Sequence, residues 1–196
     1  MHYPTHSIGG LMSVMDTHAT EVAAVGFVYP DDDWFNAGNL FHNVFSNETA
    51  LCKLANGATA RICEFRRVGH VGREGFQIYG TEATFQSNVT ASWWISDKEE
   101  TKIARLSIDE MRDPLPEEVL AAFIAGCDDE KNVLGGHGGS HAYLVHEFVD
   151  AVAGDRTPAI NAWQAARYLA PGAVAHKSAL ADGEWMKVPD WGDGPD

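Results

Sequence analysis

The dipeptide Asn56-Gly57, set between two runs of β-favouring residues, restricts this chain more than any other short feature. A tight hairpin needs positive φ at its central positions, and this pair tolerates that best. Residues 49–54 and 59–65 on either side therefore read as adjacent antiparallel strands. Further strands are expected at 20–29, ended by Pro30 and three aspartates, at 75–79 and 83–86 around Gly80-Thr81-Glu82, and at Trp93-Trp94-Ile95.

Helices come before and after this block rather than between its strands. Ile8, Leu11, Met12 and Met15 form one apolar stripe, with Pro4 stiffening the entry and Thr5 expected as the cap. Gly9 and Gly10 have poor helix propensity and point to close approach by another backbone or a ligand. Pro116 at the first position, Glu117 and Glu118, the face Val119, Leu120, Phe123 and Ile124, and the stop at Gly126 predict a second helix. Ser140 is expected to cap a third, carrying Leu144, Val145, Phe148, Val149 and Val152 and ending at Gly154. Asn161 opens an alanine-rich helix to about residue 181, with a kink expected at Pro171 and a stop at Gly183; a short strand follows at 185–188. This order argues for an α+β fold, an open, mostly antiparallel sheet with helices packed on one face. At 196 residues the chain is expected to form a single domain over 1–196, with the charged, irregular stretch 96–133 as an insertion or flap.

The net charge of -14, with acidic residues spread through the chain, repels phosphate backbones and anionic lipid. Nucleic acid and membrane surface are therefore excluded as expected partners, and no apolar run approaches a membrane span. Cys52, Cys63 and Cys127 lack metal-ligand spacing and read as reduced. With a polar, aromatic start that does not resemble a signal peptide, the expected compartment is cytoplasmic. The acceptor-like triplets Asn47-Glu48-Thr49 and Asn88-Val89-Thr90 are then chance matches.

Several segments carry chemistry. His6 follows Tyr3-Pro4-Thr5 in the first turn of the opening helix, off the apolar stripe, where the helix dipole favours a neutral ring able to accept a proton. Gly135-Gly136-His137-Gly138-Gly139-Ser140 lacks phosphate-loop spacing and reads as a flexible loop that lets backbone approach a substrate. His141 sits in the first turn of the next helix, while His141 and His146 fall on different faces and, with His137, do not suggest a metal site. In Glu64-Phe65-Arg66-Arg67, Glu64 and Arg66 share one sheet face, compatible with either a solvated ion pair or substrate contact. Asn47 and Glu48 are open in the same way, and Trp93, Trp94, Phe85 and Phe76 read as core or an oligomer interface.

In their order, Tyr3-Pro4-Thr5-His6, Phe45-Ser46-Asn47-Glu48-Thr49-Ala50, Glu64-Phe65-Arg66-Arg67, Ile78-Tyr79-Gly80-Thr81-Glu82, Gly139-Ser140-His141 to Glu147-Phe148-Val149, and Ala175-His176-Lys177-Ser178-Ala179 resemble the C-terminal domain of the Gfo/Idh/MocA oxidoreductases. The resemblance implies a dihydrodipicolinate-reductase-like substrate-binding and dimerisation domain. It also implies NAD or NADP bound by an N-terminal Rossmann domain, so no cofactor is expected on these residues. By the same resemblance His6 is the catalytic residue, Tyr3, Thr5, Glu64, Arg66, Arg67, His137 and His141 are substrate contacts, the substrate is a sugar or polyol, and a homo-oligomer forms through the sheet face. His2 stands where dehydrogenases of this family often have Asp, and Pro4 where they have Gly, which resembles the branch containing NAD-dependent glycosidases. Two alternatives stay open: part of such a glycosidase, or a stand-alone carbohydrate-binding or interaction module. In the leading reading the chain alone is inactive.

Overall fold

A computed structural model describes residues 1–88, 91–96, 102–128 and 132–194. Val89 and Thr90 of the second acceptor-like triplet, and residues 97–101 and 129–131 of the expected insertion, lie outside the described residues. The chain forms two compact units, residues 1–74 with 162–196, and residues 75–161.

In the first unit, α1 (Pro4–Met15) leads into β1 (Ala19–Phe27), then the hairpin β2 (Asn47–Leu54) and β3 (Thr59–Phe65); α5 (Ala162–Leu180) and β8 (Met186–Lys187) complete it. The sheet order is β3-β2-β1-β8 and every pairing is antiparallel. Gly57 closes the hairpin at φ 85° and the Asn56 side chain accepts the Ala58 N–H, so the turn forms at the expected pair, with positive φ at Gly57 and not at Asn56. Side chains alternate across a strand, so one face carries Val22, Ala24, Ala50, Cys52, Leu54 and Ile62, buried with Ile8, Met12, Val174 and Ala175 of the helices.

Helix α1 begins one residue earlier than its expected cap. Tyr3 occupies the N-cap position with no side-chain cap, Pro4 is the first helical residue, and Thr5 is exposed inside the first turn. Proline is pre-organised for that position, so it, not Thr5, sets the helix start. Gly9 does mark a close approach: a Cβ there would lie 3.3 Å from the Tyr168 ring of α5. At Gly172, just after the buried Pro171, a Cβ would collide with the Pro4 ring. Ser178, also on α5, accepts the Ala24 N–H at 2.9 Å and donates to the Glu184 carbonyl at 2.6 Å, tying the helix to β1 and to the closing turn.

The second unit holds β4 (Gln77–Tyr79), β5 (Ala83–Ser87), β6 (Ser92–Ser96) and β7 (Lys102–Leu106), an antiparallel sheet in chain order, followed by α2 (Ile108–Met111), α3 (Glu117–Ala125) and α4 (Ser140–Ala153). The α+β, antiparallel class is as expected, with the strands divided between two sheets. Strand β7 and helix α2 fall in the stretch expected to be irregular but for one helix, and they correct that reading. Lys102-Ile-Ala-Arg-Leu is paired residue for residue with β6, and Ser107 forms a capping box with Glu110. The aromatic stripe also divides: Trp94 lies opposite Phe85 and Trp93 opposite Gln86, so the two tryptophans point to opposite faces. Pro116 takes the N-cap of α3, and Gly139 rather than Ser140 takes that of α4, at φ 96°. A glycine enters the left-handed conformation without strain, which leaves Ser140 as the first helical residue. The α4 stripe Leu144, Val145, Phe148, Val149 and Val152 is exposed, and Ala142 and Ala151 are the buried residues of that helix. Among the described residues no helix is long and apolar enough to cross a membrane.

Candidate functional site

The first unit's buried sheet face does not stay apolar to its end. The last rung that faces the helices pairs Glu48 with Glu64, 2% and 8% exposed. Two buried carboxylates side by side are unfavourable unless each is given donors or cations. Glu64 receives the N–H groups of His2 at 2.9 Å and Tyr3 at 2.8 Å, and its Oε1 lies 3.4 Å from Arg66 Nε. Since α1 has no cap of its own, the Glu64 carboxylate, reaching over from β3, anchors the residues that lead into the helix and complements its dipole. Glu48 pairs with the Met1 amino group and lies 3.6 Å from His176 Nδ1. Burial opposes its ionisation, but His176 and the amino group outweigh burial and hold its carboxyl below the usual range.

This anchoring gathers an aromatic and cationic cluster. The Tyr3 ring has the Arg66 guanidinium over it at 4.5 Å, the His2 ring edge-on at 4.6 Å and the His6 ring at 5.4 Å. His6 is exposed in the first turn of α1, its N–H on the Tyr3 carbonyl at 3.1 Å, with a ring nitrogen within 4.8 Å of a Glu74 carboxylate oxygen. The His2 ring is bordered by Phe35, Phe41 and Trp34 at 5.5, 5.7 and 6.1 Å. Burial among them lowers its pKa, with Glu64 acting against and Arg66 adding to the shift. A neutral His2 follows at neutral pH.

The loop 28–46 that brings these aromatics is built from its own polar side chains. Asp32 accepts the Trp34 and Phe35 N–H groups, Asn39 those of Phe41 and Asn43, and Asn43 that of Phe45. Arg67 clamps the loop through Nε to Asp32 Oδ2 at 2.7 Å and Nη2 to Asp32 Oδ1 at 2.9 Å. This bidentate contact, ahead of the opposing burial, holds the Asp32 carboxyl well below the usual carboxylate range. The Asn47 amide accepts the N–H groups of both Arg66 and Arg67, fixing the bend after β3.

Of the residues singled out in the sequence, Tyr3, Thr5, His6, Glu64, Arg66 and Arg67 all belong to the first unit, and all but Thr5 have a described place in this network. His137 and His141 belong to the second. There the His141 Nδ1 accepts the Gly136 N–H at 3.1 Å, which leaves the ring proton on Nε2, and the His137 ring lies 5.5 Å away. A Cβ on Gly135 would lie 2.9 Å from the His141 Cβ, so in this glycine loop backbone approaches that histidine. Reading the sequence marked His2 only as a departure from the family pattern and missed Trp34, Phe35, Phe41 and Glu74. The only signal available was the crowding of aromatics with Asp and Asn between 32 and 45, which has no period. No described strand runs into a glycine-rich turn that opens a helix, so these residues do not fit a dinucleotide cradle.

The first unit is an α+β layer that bears an exposed histidine, an arginine over a tyrosine ring and an ordered aromatic loop at one end of its sheet. The chain matches the family described as oxidoreductase family, C-terminal alpha/beta domain, over residues 2–188, and belongs to it. No curated protein matches the sequence. Among solved structures it is similar to levoglucosan dehydrogenase in complex with NADH and levoglucosan, at 18% identity and a TM-score of 0.64 over 95% of this chain and 49% of that one. An NAD binding oxidoreductase from Klebsiella pneumoniae is similar at 17% identity and 0.66, over 95% of this chain and 49% of that one. An aldose-aldose oxidoreductase from Caulobacter crescentus complexed with glycerol is similar at 13% and 0.61, over 94% and 46%. The chain spans about half the length of these proteins. At these identities the likeness shows the fold.

Proposed function

We propose that this chain is the substrate-side and oligomer-forming domain of an NAD(P)-dependent sugar or polyol oxidoreductase, the nucleotide being held by a separate domain. The observation that carries this reading is the position of His6, exposed in the first turn of α1 beside Tyr3 and Arg66, in a fold shared with sugar oxidoreductases. NAD(P) would supply the hydride acceptor. His6 accepts the proton of the substrate hydroxyl at a ring nitrogen, Tyr3 and Thr5 border it, and Glu64 holds the segment that presents it.

The sheet face opposite the helices is the oligomer surface. Its rungs place Phe27, Asn47 and Phe65 together, then Val25, Thr49 and Cys63, then Ala23, Leu51 and Arg61. Val25, Leu51, Phe27 and Phe65 are 62%, 53%, 53% and 49% exposed, an apolar face that a second copy would cover.

Joining a nucleotide-binding domain ahead of Met1 and assaying NAD reduction with sugars tests the catalytic reading. His6→Ala should lower turnover by about a hundredfold or more, the usual contribution of a general base. Turnover within a few fold of the parent would reject His6, and tight NADH binding by the 196-residue chain would reject the division of roles.

A further inference from the structure

Most described arginines with a defined contact have their guanidinium engaged. Arg67 is held by Asp32 and Asp33, Arg156 by Glu147 and Asp150, Arg167 by Asp190 and Asp193, and Arg112 by the Gly138 carbonyl. Arg66 differs. Its guanidinium carbon lies over the Tyr3 ring, 4.5 Å from the centroid, and its inner edge points Nε at Glu64 Oε1, 3.4 Å away. Glu64 is itself fixed by two backbone N–H groups. The outer edge, with both Nη atoms, has no partner among the described residues, and the side chain is 39% exposed.

A guanidinium stacked on one face and tethered along one edge has lost much of its rotamer freedom before any ligand arrives. What remains is a rigid fork of parallel N–H donors, complementary to two oxygens held side by side. The Tyr3 ring neighbours both groups, its centroid 4.5 Å from Arg66 and 5.4 Å from the His6 ring, which puts the fork and His6 within about 10 Å of each other, a span that a sugar-sized molecule can reach.

We propose that Arg66 is the specificity-determining residue of the site, its outer guanidinium edge donating two parallel hydrogen bonds to adjacent oxygens of the sugar. These oxygens are a carboxylate or a vicinal diol, which present the same paired acceptors. The inference rests on reading the chain as the substrate side of a sugar oxidoreductase. Lysine keeps the charge but has neither the plane that stacks on Tyr3 nor the fork.

The test is calorimetric and ligand-observed NMR titration of the purified chain with D-glucuronate and with D-glucose. At least one should bind, and Arg66→Lys should weaken it by about tenfold or more. Lys187→Arg, on β8 at the opposite edge of the sheet, should leave binding unchanged. Preference for glucuronate that declines with salt identifies a carboxylate ligand; preference for glucose without salt dependence identifies a diol. Arg66→Gln, compared by circular dichroism with the parent, adds the loss of charge, and Arg66→Lys decides the matter if the glutamine variant does not fold. Sugar binding indifferent to Arg66→Lys overturns the role of Arg66 and leaves the proposed function standing. No binding of either sugar by the parent chain overturns both.

Discussion

Replacing Glu64 by glutamine separates its role as an anchor from any role as a substrate contact. The carboxylate accepts two backbone N–H groups, from His2 at 2.9 Å and Tyr3 at 2.8 Å, and it is 8% exposed. An amide has one acceptor oxygen, and its NH2 would face a donor. One of the two N–H groups therefore loses its partner, and the other keeps a neutral bond in place of a charge-assisted one. An orphaned, partly buried donor costs about 1–3 kcal/mol. Because the loss is confined to the segment entering α1, it should appear as local opening, with amide exchange at His2 and Tyr3 faster by roughly 5- to 150-fold. Exchange deep in the sheet, at Ala50 or Cys52, should change less. The measurement is native-state hydrogen exchange followed by NMR on parent and Glu64→Gln chains. Unchanged exchange at Tyr3 would refute the anchoring role.

Three further expectations follow from other parts of the fold. Gly172→Ala places a methyl against the Pro4 ring and should destabilise the first unit by about 1–3 kcal/mol in denaturant melts; a variant as stable as the parent would contradict the close approach of α1 and α5. In the second unit, Arg156 and then the Ala159 N–H hold the Glu147 carboxyl down at about 2, from an ordinary 4.5. A depressed carboxylate contributes stability that is full above pH 4.5 and lost as pH falls towards 2, so Glu147→Gln should flatten that acid transition in the NMR shift of the Ala159 amide; an identical transition in both chains would count against it. Burial pushes the Cys52 thiol up to about 11, whereas Cys63 is exposed on the opposite sheet face. Iodoacetamide at pH 8 should therefore label Cys63 in the monomeric chain and Cys52 only after unfolding, and native labelling of Cys52 would show that the buried face is open.

What could be read locally was read well. The Asn56-Gly57 hairpin, the stripe of α1 and the glycine stops at Gly126 and Gly154 each depend on a few neighbouring residues whose backbone preferences agree with the fold. Strand β7 was missed because Lys102-Ile-Ala-Arg-Leu is mostly exposed, so burial left no alternation to recognise. Ser140 was a sound cap by residue type, yet Gly139 adopted the left-handed turn first. At the site, Tyr3, His6 and Arg66 were singled out by motif and His2 only as a departure from it, while the aromatics around His2 were not. Arg67 and Asp32 are 35 residues apart, and nothing in the spacing of either announces the other.

The sequence by itself determined the antiparallel α+β class, the hairpin, and a histidine in the first turn of the opening helix, because turn chemistry and side-chain period act over a few residues. Only tertiary structure decided the use of each charge: Glu64 on the N–H groups before α1, Arg67 on the aromatic loop, and Arg66 with its outer edge open. Those assignments depend on strand register and on loops closing over tens of residues. A shift of one residue in β3 would exchange its buried and exposed faces and, with them, which charges face the helices and which face solvent.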